Sequence, residues 1–216
     1  MTLSADLFFS FRSPYSYLAV GRYRAMTQEF DLDITLRTVL PIAIRDPDIL
    51  FTGNPAAPRY IVMDCMRAGQ FLGIPISWPR PDPVVQNLMT REISDDQPHI
   101  HRICRLGQAA TRRGKGLDFA AEVAPLIWDG SVDGWNEGDH LAGAAQRAGL
   151  DLAELDAEAV SDADALDAEI AANQDALEAA GHWGVPTLVF DGEPFFGQDR
   201  VEMAKWRMEQ KGLTAR

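Results

Sequence analysis

Cysteine is scarce in this chain. Cys65 and Cys104 are the whole supply, and they stand in no paired motif. That excludes the disulfide framework of a small secreted scaffold, and both are read as small core residues. Basic charge is also short. Twenty Lys and Arg face 32 Asp and Glu, for a net charge of −12. Such a balance speaks against nucleic acid or an anionic membrane as the main partner. No apolar run approaches the roughly 20 residues that span a bilayer. The opening Met1-Thr2-Leu3-Ser4-Ala5-Asp6 lacks even one positive charge, so no signal peptide is expected. Histidine is rare too. His99-x-His101 has metal-like spacing, but no further ligand stands near it, and no metal is expected.

What is present is enough for a real core. The chain has 216 residues, 46% of them hydrophobic, which suits one domain of ordinary size or one carrying an insertion. Asp151 to Glu178 holds ten carboxylates and no Lys or Arg, which reads as a solvated helix surface. Arg102, Arg105, Arg112, Arg113 and Lys115 form a basic segment. It can pair with those acidic helices or sit near an anionic substrate, and pairing is the simpler reading. A soluble, cytoplasmic protein is expected.

Both ends of the chain read as strand-and-helix units. Leu7-Phe8-Phe9 is a short buried strand. Ser13 follows where a helix N-cap belongs, with Pro14 at the first helical position, where its missing N–H costs nothing. Tyr17, Leu18, Tyr23 and Met26 give that helix an apolar stripe to about Glu29. Asp33 to Val39 alternates polar and apolar as a strand does. At the other end Thr187-Leu188-Val189-Phe190 is a strand, and Asp191-Gly192 is a two-residue hairpin turn. Glu193-Pro194-Phe195-Phe196 returns, with Pro194 pointing to an edge, and a last helix opens at Gly197-Gln198-Asp199. The stretch between looks mostly helical. Asp151 with Glu154 forms a capping box, Ser161 with Asp164 resembles one, and Gly149 and Gly181 stand where C-terminal caps belong. Leu166, Ile170 and Leu177 supply a buried face. The expected fold is α/β: a β-α-β unit and a β-β-α unit over residues 1–41 and 182–216, interrupted by an all-helical insertion over 42–181.

Four places can carry chemistry. Ser13 at a helix start combines free N–H groups, a partial positive charge and a hydroxyl that can donate to an anion. A thiolate suits that combination. Lowering a thiol pKa by about two units needs roughly 2.7 kcal/mol. One charged hydrogen bond (roughly 1.5–3 kcal/mol) and a helix terminus (about 0.3–1 kcal/mol) together supply it. Ser13 can equally be a cap and nothing more. Val185-Pro186, if cis, leaves the Val185 backbone free to pair with an extended peptide. Gly197-Gln198-Asp199 either caps a helix or binds a carboxylate at the helix start and an ammonium at Asp199. Asn54, between Gly53 and Pro55, is either a turn residue or a ligand contact. Glutathione carries a thiol, a peptide backbone, carboxylates and an ammonium in one small molecule.

The set resembles the 2-hydroxychromene-2-carboxylate isomerase family, related to kappa-class glutathione transferases. The residues that carry the likeness are Phe11-Arg12-Ser13-Pro14-Tyr15-Ser16-Tyr17-Leu18-Ala19, Thr52-Gly53-Asn54, Tyr60 with Asp64, Gly184-Val185-Pro186-Thr187, and Phe196-Gly197-Gln198-Asp199-Arg200. It covers about the first 40 and last 35 residues tightly and the middle loosely. The resemblance implies a thioredoxin-like domain with a helical insertion, a cis Val185-Pro186 bond, a homodimer and glutathione as cofactor. Thioredoxin-like sites normally carry a Cys-x-x-Cys pair where this chain has Ser13 and Ser16, so the sulfur comes from outside. By the same likeness Ser13 bonds that sulfur, Val185 and Pro186 meet the cysteinyl backbone, and Gln198 and Asp199 hold the γ-glutamyl end. Tyr15 and Asn54 join the glutathione contacts. Relatives usually have a Lys before the Tyr. Here the Asn54 to Tyr60 segment is short and lacks it, and Arg59 is the candidate in its place. The implied reaction is reversible thiolate addition to a small aromatic or conjugated carboxylic acid. The alternatives are a kappa-like glutathione transferase and a non-catalytic thioredoxin-like binding module.

Overall fold

Strand β1 (Leu3–Phe9) starts the chain and sits inside a four-stranded mixed sheet of order β2-β1-β5-β6. The computed structural model describes residues 2–47, 56–87, 90 and 92–216, without the side chains of 56–58. Helix α1 (Pro14–Glu29) leads from β1 into the parallel strand β2 (Leu32–Thr38), in register from Leu3 opposite Leu32 to Phe9 opposite Thr38. The first strand is thus longer than its apolar core Leu7-Phe8-Phe9, because Leu3 to Asp6 follow the ladder of β2. Strand β5 (Thr187–Phe190) pairs antiparallel with β1, and β6 (Glu193–Phe196) pairs antiparallel with β5 at the sheet edge, where Pro194 needs no second partner. Asp191 and Gly192 turn the hairpin with φ of 52° and 78°.

The insertion between β2 and β5 carries a short α2 (Ile42–Arg45), α3 (Ala56–Leu72), α4 (Pro98–Arg112), α5 (Gly116–Trp128), α6 (His140–Arg147), α7 (Leu152–Ser161) and α8 (Ala163–Ala179). It is not wholly helical: β3 (Gln86–Asn87) and β4 (Glu92–Ile93) form a small antiparallel ribbon that the helix-like composition hides. A 3₁₀ turn (Gln198–Arg200) and α9 (Val201–Gln210) close the chain. Asp151 caps α7 through the Ala153 and Glu154 amides. Ser161 caps nothing. It is the last residue of α7, and Asp162 takes the entry to α8 without a side-chain cap. Leu166, Ile170 and Leu177 are buried as their spacing requires. The sheet's two faces divide along β1. Leu7 and Phe9 join the large core with α1, α4 and α5, while Phe8 meets Leu177 of α8 on the other face. Cys65 and Cys104 are buried and free. No helix among the described residues is long and apolar enough to cross a membrane.

The basic segment pairs with the acidic helices. Arg102 grips Asp156 and Arg105 grips Asp167, each through two bonds of 2.6–2.8 Å. Arg112 reaches Glu158, Asp162 and Glu169. The Arg112 hydrogen bond holds the Glu169 carboxyl below its usual value. Burial alone would raise Glu158, but Arg112 and Arg113 outweigh it and lower it. Carboxyls lowered on folding stabilise fully above their unfolded pKa of about 4.3, and that contribution disappears as pH falls through the folded values. Both carboxylates keep partial contact with solvent, which screens the pairs, so the expected loss is about 1 kcal/mol in total. Urea midpoints measured at descending pH should fall for the wild type, and Arg112→Gln should flatten that fall.

Candidate functional site

Strand direction assembles the site. Because β5 runs antiparallel to β1, the residues just before β5 lie beside those just after β1. Because β6 runs antiparallel to β5, the residues after β6 reach the same rim: Phe196 lies opposite Thr187, which lies opposite Phe8. Ser13, Val185-Pro186 and Gln198-Asp199, spread across the sequence, therefore share one edge.

Ser13 sits in extended backbone at the start of α1 and accepts from the Ser16 amide at 3.2 Å, a true N-cap. Capping uses a lone pair and leaves the hydroxyl proton free. That proton goes to the Val185 carbonyl at 3.3 Å, across 172 residues of sequence. The bond is long for an O–H donor, so an anion at this point can draw the proton away at small cost. Pro14 has no N–H, and among the described residues no protein group accepts from the Tyr15 N–H or the Val185 N–H. The Val185–Pro186 peptide bond is cis. The start of α1 and the cis-proline loop thus offer two unpaired amides and one weakly held hydroxyl proton. Ser16 is buried and accepts from the Ser10 amide at 3.5 Å.

The protein's own thiols do not compete for this place. Burial pushes both the Cys65 and the Cys104 thiol up, which disfavours the thiolate.

Neighbouring elements brace the cradle. Phe11 is fully buried, edge-on to Phe9 and Phe119, and its carbonyl accepts from Trp128 Nε1 at 2.9 Å. Tyr15 donates to Asp64 of α3 at 2.9 Å. Burial, then that bond, pushes the phenol pKa well above its ordinary value, so Tyr15 stays a neutral donor. Burial raises Tyr17 to about 12, and its hydroxyl donates to the Pro75 carbonyl at 2.5 Å. The Gly197 amide donates to the Pro186 carbonyl at 2.9 Å, with φ of 108°, tying the end of β6 to the cis-proline loop. Arg22 of α1 donates to the Gln198 carbonyl at 2.6 Å, while exposed Asp199 pairs with Arg200. Gly184 is required by close approach, since a Cβ there would meet the Phe196 ring at 2.6 Å.

The sequence singled out Ser13, Tyr15, Val185, Pro186, Gln198 and Asp199, and all lie on this rim or brace it. Arg59 is exposed on α3, five positions before Asp64. Asn54 lies outside the described residues. Sequence reasoning missed two braces, Arg22 and Arg45, the second donating to the Leu40 and Trp183 carbonyls at 2.7 and 2.8 Å, and it missed the pairing of Arg12 with Asp82 nearby. Only Arg12 had a signal, its place beside Ser13. The others are long-range contacts with no local pattern.

The family model for the DSBA-like thioredoxin domain matches residues 5–209. The chain belongs to that family. Its solved structural neighbours agree in fold. A 2-hydroxychromene-2-carboxylate isomerase superposes with a TM-score of 0.69 at 21% identity, over 96% of this chain and 95% of that one. A probable DsbA oxidoreductase from Streptomyces coelicolor gives 0.66 at 16%, over 96% and 89%. The cytosolic disulfide reductase DsbM of Pseudomonas aeruginosa, in a structure with glutathione, gives 0.56 at 14%, over 96% and 100%. No curated protein matches the chain in sequence. At these identities the likeness is one of fold, shared with proteins named as an isomerase, a probable oxidoreductase and a disulfide reductase.

Proposed function

We propose that this DSBA-like protein is a glutathione-dependent isomerase of a small aromatic or conjugated carboxylic acid. The observation that carries the reading is the Ser13 hydroxyl. It caps α1 with a lone pair and aims its proton at the cis-proline loop, where no protein thiol stands.

The residues present fit glutathione. Ser13 would donate to the sulfur, and the Tyr15 N–H with the helix terminus would add positive potential there. The Val185 N–H and carbonyl would pair with the cysteinyl backbone as a neighbouring strand does. Gln198 and Asp199 would hold the γ-glutamyl end, Asn54 would contact the tripeptide, and Arg59 would meet the glycine carboxylate. Bound glutathione supplies a thiolate that adds reversibly to a conjugated double bond, letting it rotate before it re-forms. The protein's part is to hold that sulfur ionised and in line. Residues 1–41 and 182–216 would form the thiolate side, and the insertion over 42–181 the walls around the second substrate.

A homodimer belongs to the same reading, and exposed Met63, Met66 and Phe71 on α3 offer apolar surface for it. The free cysteines suit the reducing cytoplasm that it assigns. The test is calorimetric titration with glutathione at millimolar concentration. Binding with ultraviolet thiolate absorbance at neutral pH is expected. Absence of any binding sinks the proposal and leaves a non-catalytic module. Release of a stable thioether product would instead indicate a kappa-like glutathione transferase.

A further inference from the structure

Arg12 precedes Ser13 and has no role in the thiolate cradle. Its side chain is 11% exposed, and its guanidinium lies over Trp78 and Trp128, 4.6 and 5.4 Å from the ring centroids. Nε and Nη2 grip both oxygens of Asp82, the Nη2 bond at 2.7 Å. Asp82 is itself fixed by the Val84 amide at 3.0 Å and by Gln86 Nε2 at 3.3 Å. A guanidinium packed against two rings and held along one edge cannot swing freely.

One nitrogen remains. Among the described residues Nη1 has no acceptor. It is also not one of the buried polar atoms left without a partner, which are Ser10 Oγ, Tyr23 OH, Thr38 Oγ1 and Asn136 Oδ1. Among the described residues Nη1 is therefore the guanidinium nitrogen left for an outside acceptor, on the residue adjoining Ser13 in the chain. The half-buried Trp78 ring supplies an apolar face next to it. A preorganised charged donor flanked by an aromatic face suits one oxygen of a planar carboxylate.

We propose that Arg12 Nη1 anchors the carboxylate of the second substrate, with its conjugated body against Trp78. The assignment rests on the isomerase reading for its biological sense, but it can be tested apart from it. Calorimetry on the glutathione-saturated protein would compare trans-cinnamate with its neutral amide, for wild type, Arg12→Gln and Arg12→Lys. Cinnamate should bind the wild type about tenfold tighter than cinnamamide, the size of one charge-assisted contact. Arg12→Gln should erase that preference and leave the amide and glutathione affinities unchanged, while Arg12→Lys should keep part of it. Equal binding of acid and amide by the wild type, or equal loss of both in Arg12→Gln, overturns the proposal. Should Arg12→Gln not fold, nitrogen-detected NMR of the wild-type Arg12 guanidinium decides. A shift with cinnamate alone supports the anchor; no shift, or the same shift with both, overturns it. Glutathione is titrated separately. If glutathione does not bind but the acid preference depends on Arg12, the isomerase reading fails and the anchor stands.

Discussion

Ser13→Ala is expected to raise the thiol pKa of bound glutathione by about one to two units, the worth of one charged hydrogen bond. Turnover near neutral pH should then fall by roughly 10- to 100-fold, in proportion to the lost thiolate. The sign is specific. The wild-type rate rises with pH through a lowered thiol pKa, and the variant's rate rises through a higher one, so the deficit should shrink in alkaline solution. A pH–rate profile with ultraviolet titration of the bound thiol reads both. Ser13 also caps α1, and loss of a cap alone costs about 1 kcal/mol of stability. Ser13→Gly separates the two roles, because Gly is nearly as good a cap but has no proton to donate. If Ser13→Gly keeps the wild-type pH profile, Ser13 is only a cap.

Phe11→Ala is expected to remove about 3–5 kcal/mol of stability, read as a lower urea midpoint at unchanged slope. The ring is fully buried between Phe9 and Phe119, and it touches the hollow left by Gly107, where a Cβ would lie 2.7 Å from it. A domain's whole stability is about 5–15 kcal/mol, so this is a large share. The consequence reaches the site. Phe11 fixes the backbone two residues before Ser13, and glutathione affinity should drop along with stability. A change below about 1 kcal/mol would mean that the β1–α1 junction does not depend on this packing.

Much of this molecule was legible locally. Pro14 after Ser13 marks a helix start because both act on the first turn alone. Thr187–Phe190, the Asp191-Gly192 turn and the edge strand with Pro194 follow from a short apolar run, from φ > 0 at the turn and from a proline that suits an edge. Readings failed where local chemistry allowed two outcomes. Ser161 has capping chemistry, but α7 runs through it and Asp162 starts the next helix. The β3–β4 ribbon is too short to imprint a period.

The sequence by itself determined the parts: a hydroxyl at a helix start, no thiol pair, a Val-Pro before a strand, and acidic helices with a basic partner. These rest on interactions within a few residues, which composition and spacing record. Only the tertiary structure decided which parts meet. Antiparallel pairing of β5 with β1 puts Val185 against Ser13, and the β6 return brings Gln198 to the same rim. Arg12 finds Asp82 seventy positions away. Such contacts follow from burying both faces of one sheet, and that requirement acts on the whole chain at once.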